Sequence, residues 1–144
     1  MKGSRTKARQ FALQLLFQLN PSTNGQPLPN LEQLKSQFSD FWQGVGESVH
    51  PEVMNYSEGI VNGVLEHRKA IDQTISQNAK HWRLDRMARV DLSILRLSVF
   101  ELKYSKIPLN IVINEAVELA KGFSTAEASS FVNGILDAIA KGTE

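Results

Sequence analysis

Apolar side chains recur along this chain at the 3.6-residue period of helices, and the runs break at proline, asparagine and glycine. Ala8, Ala12, Leu15, Leu16 and Leu19 make one stripe, which predicts an amphipathic helix over residues 5 to 19. It stops at Asn20-Pro21, and the following PSTNGQPLPN, with three of the five prolines, reads as a loop. Leu31, Leu34, Phe38, Phe41 and Trp42 predict a second helix closing near Gly44 and Gly46. Pro51 suits the first position of a third, where its missing N–H is no loss; Val53, Ile60, Val61, Val64 and Leu65 give the stripe. Gly59 and Gly63, four apart, mark an expected close crossing of helices. Ile71, Ile75 and Ala79 give a shorter fourth helix.

Asp85 is the expected cap of a long fifth helix from about Arg86 to Tyr104. Its apolar residues cover most of its circumference, which a helix can sustain only when neighbours surround it, so this is the expected central helix. Pro108 opens a sixth that ends at Gly122, and Ser124 with Glu127 forms an expected capping box for a seventh running through Ile139. Gly134 within that helix costs about 1 kcal/mol relative to Ala, so a tight packing contact is expected there. Asn114, Glu115 and Asn133 sit in strongly apolar helices and are expected to tie the sixth to the seventh through buried hydrogen bonds. Nothing reads as a strand. The expected architecture is all-α, with about seven helices in two small bundles, residues 1–66 and 67–144, joined near residues 66 to 84.

Charge changes the picture more than composition does. The net charge is only +1, yet residues 1–31 hold four cations and no anion, while the rest holds twelve Lys and Arg against fifteen Asp and Glu. Cations at a helix start oppose the macrodipole unless an anion meets them, so Lys2, Arg5, Lys7 and Arg9 point to a polyanionic partner. Cysteine is absent, which excludes disulfides and thiolate metal sites. There is no secretory signal and no run of eighteen apolar residues, so the expectation is a soluble cytoplasmic protein.

Catalytic chemistry is missing. His50, His67 and His81 lack the spacing that places two on one helix face for a metal, and no Gly-rich phosphate loop or nucleophile elbow occurs. Glu115 and Glu118 lie on neighbouring turns but give no sign of facing a cleft. No enzyme and no cofactor are expected.

On a helical wheel Phe17 points away from the apolar stripe of the first helix. It shares that outer face with Gln10 and Gln14, with Lys7 and Arg9 to either side. Cations for phosphates, a ring for a base and amides for base edges are the components that hold single-stranded RNA; packing of Phe17 within the protein is the alternative. Lys80, Arg83, Arg86 and Arg89 wind around their helix, and are expected to be solvated or to pair with Asp85 and Asp91.

The segment IPLNIVINEAVELAKGFSTAEASSFVNGILD, preceded by VDLSILRLSVFEL and headed by ARQFALQLLFQLN, resembles the NusB family of bacterial transcription antitermination factors. The resemblance spans nearly the whole chain. It implies an all-α fold of two three-helix bundles that binds the boxA element of rRNA leader transcripts together with NusE, a small-subunit ribosomal protein. Together these help RNA polymerase read through terminators, so contact with the elongation complex is indirect. The family's arginine-rich start falls on Arg5, Lys7 and Arg9, behind Lys2, and its usual tyrosine falls on Phe17, with Gln14 on the same face. The RNA-facing end of the last helix falls on Glu127, Ser130 and Phe131, with Lys121 nearby. Glu127 and Ala128 replace the commoner Asp-Ser pair, and Ser130 replaces a basic residue. Asp91 falls on the NusE-facing surface, with Trp82, Arg83 and Asp85 close by. Two alternatives stand beside this: a helical scaffold that binds protein only, and the NusB-like domain of an rRNA methyltransferase. Whether the free protein forms a homodimer is open.

Overall fold

The computed structural model describes residues 4–21, 28–79 and 82–142. Among these residues there are seven α-helices and no strand: α1 (Ser4–Leu19), α2 (Leu31–Gly44), α3 (Pro51–Glu66), α4 (Arg68–Asn78), α5 (Arg89–Lys103), α6 (Leu109–Phe123) and α7 (Ala126–Gly142), with a 3-10 turn at Leu84–Arg86. None of the helices is long and apolar enough to cross a membrane.

α5 is central. Every residue from Leu92 to Val99 is buried, because α1, α3, α4, α6 and α7 all pack against it. Ser93 and Ser98 are small enough to sit inside that ring, and Ser57 does the same between α1 and α3, its hydroxyl bonded to the Ala8 and Val53 carbonyls at 2.9 and 2.8 Å. α2 is attached differently, through rings: Phe11 of α1 meets Phe41 and Trp42 edge-on, and the Trp42 indole donates to Glu58 at 2.7 Å. Its start is fixed by reciprocal hydrogen bonds between Asn30 and Gln33.

Several expected boundaries and contacts are corrected. α5 begins at Arg89 rather than Arg86, because Asp85 lies in the 3-10 turn paired to Arg83 at 3.0 Å and Met87 is extended. α7 is capped by Thr125, whose hydroxyl accepts from the Ala128 N–H at 3.0 Å, not by Ser124, which is bonded to Asp91. Of the two glycines in α3, only Gly63 makes a close crossing: a Cβ there would overlap the Phe100 ring, whereas one at Gly59 meets nothing within 4 Å. Gly134 likewise faces open space, so no packing contact explains it. Asn114 and Asn133 are exposed and do not tie α6 to α7, and Glu115 turns instead toward α1.

Candidate nucleic-acid interface

The cations of α1 separate into two kinds. Arg5 and Lys7 are exposed. The Arg5 guanidinium lies 5.0 Å from the centre of the Tyr56 ring, and the Lys7 ammonium lies 5.1 Å from that of Phe11 and 3.8 Å from Glu47. Lys7 and Glu47 both keep half their side-chain surface in water, where such a pair is screened and weak. Lys2 lies outside the described residues.

Arg9 is the correction. It is only 4% exposed and points inward, where its guanidinium takes both oxygens of Glu101 on α5 at 2.6 and 3.0 Å and reaches Glu115 on α6 at 2.6 Å. Tyr56 donates to Glu101 at 2.7 Å and Thr6 to Glu115 at 2.6 Å, so four helices are tied through one buried network. Burial works against the Arg9 cation, but its hydrogen bond to Glu101 and the charges of Glu101 and Glu115 prevail and hold its pKa above the ordinary value. Arg9 has its anions within the protein and is not available to phosphate. A second such cation, Arg96 on α5, pairs with Asp72 through two hydrogen bonds of 2.8 and 2.9 Å and donates to the Pro21 carbonyl at 2.8 Å.

Phe17 is off the core, 41% exposed, as the wheel indicates. It lines a groove with Leu13, Gln14, Gln18, Val90 and Phe123. Gln14 is half-buried, its amide donating to the Gln10 carbonyl at 3.3 Å. Sequence reasoning missed Arg89, expected among the solvated or acid-paired cations. Its guanidinium lies 4.6 Å from the Phe17 ring centre and donates to the Phe17 carbonyl at 3.0 Å. The available signal was its place before the VDLSIL run, where a cation opposes the dipole of the helix it starts.

A second cavity, of about 330 Å³, opens between the chain entering α5 and the start of α7. Trp82, Arg86, Asp91, Thr125, Glu127 and Phe131 line it, and Trp82 meets Phe131 edge-on with ring centres 5.5 Å apart. Residues expected on separate protein-facing and RNA-facing surfaces thus share one wall. Asp91 accepts from the Ser124 hydroxyl at 2.7 Å, which fixes the α6–α7 turn against α5. Because Val90 lines the Phe17 groove and Asp91 this cavity, the two are neighbours across the first turn of α5. Ser130 opens onto a shallower groove beside Trp82 and Phe131, and Lys121 is exposed. Arg83 and Asp85 pair with one another at the surface. The described histidines have structural surroundings: His50 caps α3 and His67 stacks on Tyr104 at 3.9 Å. His81 and Lys80 lie outside the described residues.

Fold and surface together define, among the described residues, an all-α protein whose grooves are lined by aromatic rings together with amides and charged groups of both signs. The chain belongs to the NusB family, whose family model matches residues 6–141. It is 44% identical over 142 residues to the transcription antitermination protein NusB of Anaeromyxobacter dehalogenans (strain 2CP-1), covering 99% of this chain and 94% of that one. Among solved structures it resembles T. maritima NusB, with a TM-score of 0.78, 31% identity and coverage of 98% of this chain and 93% of that one. It also resembles a chain in the crystal structure of antitermination factors NusB and NusE in complex with dsRNA, with a TM-score of 0.79, 27% identity and 99% coverage of both chains.

Proposed function

We propose that this protein is a transcription antitermination factor that binds boxA-type single-stranded RNA of rRNA leader transcripts together with a NusE-type small-subunit ribosomal protein. It works in the cytoplasm by binding, without catalysis, and meets RNA polymerase only through that assembly. The observation that carries the reading is the exposure of three groups of α1 in a NusB-family chain: Arg5 and Lys7 on two sides of its first turns and Phe17 near its end.

In this reading Arg5 and Lys7, with Lys2, neutralise phosphates, Phe17 stacks on a base, and Gln14 reads a base edge. The start of α7 extends the RNA surface through Glu127, Ser130 and Phe131, with Lys121 at the end of α6. Trp82, Arg83, Asp85 and Asp91 face the protein partner. Glu127 and Asp91 outnumber Arg86 in the lining of the shared cavity, so the side formed by the two carboxylates takes base amino groups or partner cations rather than phosphate. Trp82 touches Phe131, so in this reading the protein-facing and RNA-facing surfaces adjoin, and any strengthening of RNA binding by the partner is matched by an equal strengthening of partner binding by RNA. The chain divides into bundles of residues 1–66 and 67–144, with α5 packed against helices of both.

Fluorescence anisotropy with labelled boxA RNA and a scrambled control, each with and without the ribosomal partner, tests this. Preference for boxA that sharpens when the partner is added is the expected result. Equal affinity for both RNAs under both conditions would overturn it.

A further inference from the structure

We infer that Arg89 is a positioning residue for RNA: from the first turn of α5 it holds the Phe17 ring and the last turn of α1 as a preset stacking platform for a nucleobase. The inference rests on the reading of Phe17 given above and adds a residue on another helix.

The last four carbonyls of an α-helix have no partner within it. In α1 the Leu16 carbonyl accepts from the Asn20 N–H, and α1 carries no basic residue in its last turn to satisfy the others. Arg89 supplies one from outside, donating to the Phe17 carbonyl at 3.0 Å while its guanidinium lies over the Phe17 ring at 4.6 Å. The same contact resolves the position of Arg89 itself. As the first residue of α5, a helix start with no side-chain cap, its charge opposes the local dipole. Its side chain instead reaches the negative end of α1, where a cation is favourable.

The consequence falls on Phe17. An exposed ring is free to change rotamer and loses that freedom when a base stacks on it, which weakens binding. With the guanidinium over one face and anchored to the backbone of the same residue, the ring is held in one orientation while Phe17 as a whole remains 41% exposed. Arginine is suited to this and lysine is not, because only the planar guanidinium can lie flat on a ring while donating in its own plane.

The test measures affinity for a short single-stranded boxA-type RNA, with the ribosomal partner present, across a salt series. The proteins are wild type, Arg89→Ala, Arg89→Lys, Phe17→Ala and the Phe17→Ala/Arg89→Ala double variant, with thermal melts to establish that each is folded. Arg89→Ala is expected to weaken binding about three- to tenfold, with the salt slope of the wild type. Arg89→Lys should fail to restore the affinity, and the double variant should bind no more weakly than Phe17→Ala. Multiplying losses in the double variant would overturn the inference. So would a shallower salt slope in Arg89→Ala that Arg89→Lys restores, since that is the behaviour of a simple phosphate contact. If Phe17→Ala weakens binding and Arg89→Ala does not, the inference fails and the reading of α1 stands; if Phe17→Ala has no effect, the reading of Phe17 fails as well.

Discussion

Arg9 and Glu101 meet through two parallel hydrogen bonds, Nε to Oε1 at 2.6 Å and Nη2 to Oε2 at 3.0 Å, with both side chains 5% exposed or less. A basic residue in a cationic arm is thereby a tie between α1 and α5. Removing one member of a buried pair strands the other charge, at a cost of about 3–5 kcal/mol. Arg9→Ala is therefore expected to lose stability on that scale in urea unfolding. Arg9→Met combined with Glu101→Leu should lose less, because that pair leaves neither of these two charges unmatched. Weakened RNA binding by Arg9→Ala would report this loss of structure, not a lost phosphate contact.

Tyr56 gives the network a signature at high pH. Burial first, then its hydrogen bond to Glu101 and that carboxylate's charge, push the phenol above its ordinary pKa of 10.0, against the opposing pull of Arg9 and Arg5. Above about pH 10 the unfolded chain releases this proton while the folded chain keeps it, so stability falls as pH rises. Below that pH the contribution is fully present. Wild type should exceed Tyr56→Phe by about 1 kcal/mol near neutrality, and the gap should close as pH climbs through the raised value. Urea midpoints of the two proteins between pH 8 and about 11 read this directly. A constant gap would mean that neither burial nor the carboxylate holds the phenol above its ordinary pKa.

Two glycines should respond in opposite directions. Gly63→Ala forces a methyl into the Phe100 ring, an overpacking expected to cost about 1–3 kcal/mol. Gly134→Ala adds a methyl to open space in the interior of α7, and should raise stability by up to about 1 kcal/mol through helix propensity. Thermal melts of the two variants distinguish a glycine that packing requires from one that it does not.

Helix periods were legible because burial repeats every 3.6 residues whatever the tertiary detail, and the near-complete apolar girdle of residues 87 to 102 already marked α5 as central. The exposure of Phe17 could be read in the same way, from its place on the wheel. The fate of Arg9 could not. Its carboxylate partners lie 92 and 106 residues further along, and no local pattern brings Glu101 and Glu115 to the same point. Capping failed by small margins where competing groups stood close together: Thr125 displaces Ser124, and Asp85 pairs with Arg83 in a turn that ends before α5 begins. The contact between Trp82 and Phe131 was hidden for the reason that hid Arg9, since each belongs to a different segment and only the folded chain joins them.

The central claim is that the exposed cations at the start of α1 meet phosphate. The salt dependence of RNA affinity, compared between wild type and Arg5→Ala/Lys7→Ala, tests it most directly. The logarithm of the association constant should fall linearly with the logarithm of salt concentration. For the double variant the slope should be shallower by about 1.4, or about 0.7 for each single-strand phosphate contact removed, with the melting temperature unchanged or slightly raised. Parallel lines of equal slope would contradict the claim.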